Sequence, residues 1–200
     1  MMNLCVRTAA AVAAASLSVA AQGEIVVSWA EIGSDNSSFN PPAVVYSGMA
    51  GPYSAFPEGS ALGTANYTST MAGPSELLTQ FRFVGGVTVA NTSLRFTFAD
   101  SAAVELSSFT VALPQGGNFN WTITLTEADS IDVANIGSLT IAGVDGAVGR
   151  WFLTSTPASV GSQTPVTGAF IHAFELTTVV PTPGALALLG LAGLAGRRRR

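Results

Sequence analysis

Phe119-Asn120-Trp121-Thr122-Ile123-Thr124-Leu125-Thr126 decides the fold class. Large apolar side chains hold every odd position and small polar ones every even position. An extended chain points successive side chains to opposite faces, so Phe119, Trp121, Ile123 and Leu125 share one face. A helix would scatter the same residues around its circumference. The period of two recurs in Ile25, Val27 and Trp29, in Phe81 and Phe83 around Arg82, and in Leu94, Phe96 and Phe98. It continues through Phe109, Val111 and Leu113, then Leu139 and Ile141, and closes with Phe170, His172, Phe174 and Leu176. Gly85-Gly86, Pro114-Gln115-Gly116-Gly117, Asp145-Gly146 and Gly161-Ser162 read as turns between the runs. Short half-buried strands, spaced about 8–12 residues apart, predict an all-β body, an antiparallel β-sandwich or jelly-roll-like fold. The stretch from Gly33 to Glu76 reads as long loops with one or two short strands, such as residues 43–47. Residues 75–80 read as a single helical turn.

The two ends follow a different logic. Residues 1–21 carry a positive start at Arg7, an apolar run from Thr8 to Ala15, and small residues up to Ala20 and Ala21. That is the pattern of a signal helix cut by signal peptidase at Ala20 or Ala21. The run is too short to span a bilayer, which takes about 20 apolar residues. Cys5, the only cysteine of the chain, falls inside this leader. The body is therefore expected to hold neither a disulfide nor a thiolate metal site. At the other end, Val180-Pro181-Thr182-Pro183 precedes a wholly apolar stretch from Gly184 to Gly196, and Arg197, Arg198, Arg199 and Arg200 finish the chain. The prolines keep their segment extended. The apolar stretch predicts a hydrophobic helix, and the arginines predict a membrane stop on the cytoplasmic side. At ~1.5 Å per residue that helix reaches only ~20 Å, short of a ~30 Å hydrocarbon core, which suits a temporary anchor. The expected organisation is a leader over 1–21, a body over 22–178 and a tail over 179–200.

The tail resembles the PEP-CTERM sorting signal of exported bacterial proteins. In that family a Val-Pro-Glu-Pro opening, a hydrophobic helix and an arginine cluster are recognised by an exosortase, a membrane transpeptidase. The resemblance covers Val180 to Arg200 and implies that Val180, Pro181, Thr182 and Pro183 form the recognition motif, with Thr182 standing where the family usually has Glu. It implies signal peptidase and an exosortase as processing partners, an inner-membrane precursor, and a final address at the cell surface or outside the cell. Proteins sorted in this way carry many unrelated bodies.

Charge narrows what the body does. Charged residues make up 10% of the chain, and all eight basic residues are arginines. Only Arg82, Arg95 and Arg150 lie between leader and tail, against all twelve acids, so the body carries −9 where the whole chain carries −4. Such a body repels nucleic acid and anionic surfaces. One histidine, His172, excludes His-rich metal centres and most catalytic triads, and reads as a core or rim residue with a hydrogen-bond partner. No nucleotide-binding glycine loop or nucleophile elbow is present. No cofactor is expected.

Two acid groupings and one polar row remain. Glu127, Asp129 and Asp132 follow a strand and offer hard oxygens to Ca²⁺, or carboxylates to a glycoside hydrolase, or simply a solvated turn. Asp100 and Glu105 flank a hairpin turn. The outward row Asn120, Thr122, Thr124 and Thr126 would display hydroxyls to a polysaccharide, or reflects the β propensity of Thr alone. Asn-x-Ser/Thr sequences at Asn36, Asn66, Asn91 and Asn120 follow from abundant Ser and Thr. The function expected is that of a non-enzymatic surface or matrix protein in contact with exopolysaccharide. The alternatives are a secreted carboxylate hydrolase and a Ca²⁺-dependent adhesion module.

Overall fold

The computed structural model describes residues 25–37, 43–54, 61–73, 75–126 and 131–179. The expected signal helix lies outside these residues, as does the expected C-terminal hydrophobic helix; of the tail only Val179 is included. In chain order the strands are β1 (Val26–Ala30), β2 (Val44–Ser47), β3 (Tyr53–Ser54), β4 (Thr64–Thr68) and β5 (Ser75–Val87). Next come β6 (Thr92–Asp100), β7 (Glu105–Leu113), β8 (Gly117–Thr124), β9 (Ile131–Ala134) and β10 (Ile136–Gly143). The last are β11 (Gly149–Trp151), β12 (Leu153–Thr154), β13 (Ser162–Gln163), β14 (Ile171–His172) and β15 (Phe174–Val179). Helix among the described residues is limited to one 3-10 turn at Val144–Gly146.

All pairings between named strands are antiparallel. A seven-stranded sheet runs β1-β8-β5-β15-β2, with β9 and β11 also paired to β5. A five-stranded sheet runs β13-β4-β10-β6-β7, and β14-β12-β3 form a small third one. The two large sheets enclose one aromatic core. Phe81, Phe83, Trp121, Ile123, Phe174 and Leu176 supply one side of it, and Leu94, Phe96, Phe98, Leu139 and Ile141 the other. Phe81 meets Phe96 at 5.2 Å between ring centres and Phe98 at 6.4 Å, both edge-on, the arrangement that aromatic quadrupoles favour. Val84 and Ala173, which point away from this core, pack with Met49 and Phe152 in a second, smaller cluster.

The strand at 43–47 and the turns at Pro114–Gly117, Asp145-Gly146 and Gly161-Ser162 stand where the sequence puts them. Two expectations are corrected. Residues 75–80 are extended and open the longest strand, β5. Its register with β15 steps from Thr177↔Gln80 to Thr178↔Leu78, so Thr79 is an extra residue in a β-bulge. The bulge shifts the phase of alternation by one, bringing Leu78 and Phe81 to the same face at a spacing that imitates a helix. Gly85 and Gly86 are likewise no turn. They lie inside β5, where a Cβ on Gly85 would stand 2.3 Å from the Arg150 carbonyl oxygen and one on Gly86 1.8 Å from that of Gly117. Glycine is needed here because two neighbouring backbones come too close for any side chain.

Strand β1 also differs from its pattern. It is an edge strand, and Trp29, 5.9 Å from buried Trp121, remains 46% exposed. Phe81 is fully buried and touches four other rings. We therefore expect Phe81→Ala to cost about 3–5 kcal/mol in denaturant unfolding, and Trp29→Ala to cost clearly less.

Candidate functional site

Of the acid cluster expected to bind Ca²⁺ or act on a glycan, Glu127 and Asp129 lie outside the described residues. Asp132 lies on β9, exposed, opposite Leu77. Among the described residues no group of three or more His, Cys, Asp or Glu is arranged to hold a metal. Val180, Pro181, Thr182, Pro183, the cleavage residues Ala20 and Ala21, and Arg197 to Arg200 lie outside the described residues. Among those described, no helix is long and apolar enough to cross a membrane.

Asp100 and Glu105 do flank the β6–β7 turn. Asp100 is committed to that turn, its Oδ1 accepting the amides of Ala102 at 2.8 Å and Val104 at 2.9 Å. Glu105 is exposed. The Ser108 hydroxyl, and then Arg95, hold its carboxyl below the usual range. The row from Asn120 to Thr126 is not the open display expected. Asn120 is buried, and its Nδ2 donates to Asn36 Oδ1 at 3.3 Å, because the segment around Gly33 and Asn36 folds over that end of β8. Thr124 and Thr126 are exposed, while Thr122 is half-buried.

His172 is buried in the core, but the hydrogen-bond partner expected of it is missing at one ring nitrogen. It stacks on Trp151 at 4.0 Å, and its Nδ1 is buried without a hydrogen-bond partner. Burial pushes its pKa down to about 4. The imidazole is therefore neutral at physiological pH, a packed ring rather than a general acid.

Two buried carboxylates escape the sequence. Glu175 is fully buried on β15. It accepts from the Arg82 guanidinium at 3.0 Å and from Ser47 Oγ at 2.8 Å, across a row in which Ser47, Glu175 and Arg82 are direct register partners. Glu76 follows the bulge's altered phase and is buried too. It accepts the Ala72 amide at 3.0 Å and the Thr178 hydroxyl. The alternation Phe174-Glu175-Leu176 announces an outward residue. Only the tertiary fold makes that outward face a buried one.

Glu175, Glu76 and Asp100 are engaged by their own fold, and Asp100 borders a depression in the sheet surface. A groove of about 360 Å³ crosses the five-stranded sheet at one end. Its floor comes from Asn66 and Thr68 on β4 and from Ile136 and Ser138 on β10, which alternate outward as Ala65, Tyr67 and Leu139 turn inward. The β6–β7 turn forms one wall and β13 with Thr164 the other. Tyr67 and Gln163, paired across β4 and β13, also line it. Gln163 Oε1 accepts from the Tyr46 hydroxyl at 3.1 Å, yet Gln163 Nε2 and the Tyr67 hydroxyl are buried with no partner. Burial pushes the Tyr67 phenol's pKa upward, so it stays protonated. No arginine or histidine lines the groove, which offers hydroxyls, amides and the Asp100 carboxylate rather than a cation.

These features define a class, an antiparallel all-β protein with a polar groove on one sheet. No protein-family model matches the chain, and comparisons with curated proteins and with solved structures find no match either.

Two outcomes test the electrostatics. Glu175→Ala leaves the mostly buried Arg82 unpaired and should cost about 3–5 kcal/mol, whereas Glu105→Ala should leave the unfolding midpoint unmoved. For His172, the unfolded chain takes up a proton below its ordinary pKa of 6.5, while the folded chain refuses it down to about 4. Stability is thus lost as pH falls through that window. By pH 4 the wild type should lose about 3 kcal/mol more than His172→Phe, measured by chemical unfolding at each pH.

Proposed function

We propose that the chain is an exported, non-enzymatic surface or matrix protein whose jelly-roll-like sandwich body associates with extracellular polysaccharide. The single observation that carries the address is the tail, Val180-Pro181-Thr182-Pro183 followed by the apolar stretch and Arg197 to Arg200. A signal-peptide pattern at 1–21 supports it, because the tail is useful only to a chain already threaded through the membrane. In this reading signal peptidase removes the leader. The apolar stretch then holds the precursor in the inner membrane, arginines inside, until an exosortase acts at the Pro-Thr-Pro segment. The body is delivered to the cell surface or beyond.

Two further observations support a binding role over a hydrolytic one. Glu175, Glu76 and Asp100 spend their oxygens on donors of their own fold. The outer face of the five-stranded sheet is rich in hydroxyls, with Thr64 and Thr140 in mutual contact at 2.8 Å. Replacing Pro181 and Pro183 with Ala, followed by fractionation and immunoblotting, should trap a larger precursor in the inner membrane. Mature protein of unchanged size outside the cell would contradict recognition at this motif.

A further inference from the structure

We propose that the groove across β4, β10 and β13 is a binding site for a neutral saccharide chain; the inference rests on the body's reading as a polysaccharide-associating module and names its site. Its lining decides the ligand's chemistry. Asn66, Thr68, Ser138 and Thr164 both donate and accept hydrogen bonds, as a sugar hydroxyl does. Ile136, 57% exposed in the floor, supplies an apolar surface for the C–H face of a sugar ring. With the Asp100 carboxylate and no cation in the lining, and −9 on the body, an acidic polysaccharide is repelled.

Beyond the groove, Thr64, Thr140, Thr97 and Ser108 stand opposite one another across four strands. At ~4.8 Å per strand that row extends about 14 Å, long enough to follow a chain rather than a single sugar.

Affinity electrophoresis of the full-length protein through gels containing dextran, mannan, xylan or alginate tests the site. At least one neutral polysaccharide should retard the wild type, and alginate should not. Ser138→Trp, which fills the groove, should weaken that binding by about tenfold or more, while Ser28→Trp, the same substitution on an exposed position of the other sheet, should bind as wild type. If Ser138→Trp does not fold by circular dichroism, Asn66→Ala decides, with several-fold weakening expected. Wild-type binding in both Ser138→Trp and Asn66→Ala would overturn the groove while leaving the polysaccharide-associating body intact. Absence of retardation by every neutral gel, or preference for alginate, would overturn the groove's ligand class; the tail's sorting role would be untouched.

Discussion

Strand β5 is the constraint on which the remaining structure depends. It pairs with β9 and then β8 along one edge, and with β15 and then β11 along the other. Four strands thus take their register from one, and a slip of one residue in β5 would turn every inward side chain outward. Its composition meets that demand at each point. Leu78, Phe81 and Phe83 fill the core, the Thr79 bulge corrects the phase between them, and Gly85-Gly86 lets β11 and β8 close on the backbone from both sides.

The same strand accounts for the buried charge. Arg82 alternates outward between Phe81 and Phe83, and β15 brings Glu175 directly opposite it, with Ser47 beyond. A buried ion pair of this kind adds little net stability over an apolar substitute, but losing either partner strands the other. It therefore acts against wrong registers of β5, β15 and β2 more than for the right one. His172 on Trp151 is the analogous neutral case, a ring kept by packing and penalised when protonated.

Much of the fold was legible in the sequence. Alternation fixed the all-β class, the inward face of β6 and β8, and the turns marked by Pro114–Gly117 and Asp145-Gly146. The errors have physical causes. A bulge made β5 resemble a helical turn, and close backbone approach put glycines where a turn was expected. Distant packing then buried Asn120, Glu76 and Glu175, which period alone assigns to solvent or to no face at all. The groove was the least legible part. Its floor joins Asn66 to Ser138, its walls come from residues near 101 and 163, and no local motif announces that meeting. Asp132, by contrast, was singled out from its neighbours in sequence and stands exposed on β9, opposite an apolar residue.

Address and body are independent in this account, joined only by the chain between Val179 and Pro181. The central claim is that both ends are removed and the β-sheet body alone is delivered. Intact-mass spectrometry of the protein recovered from the cell exterior tests it most directly. The account predicts a chain beginning just after Ala20 or Ala21 and ending close to Pro181–Pro183, without the apolar stretch or the arginines. A mass that includes everything through Arg200 would contradict it.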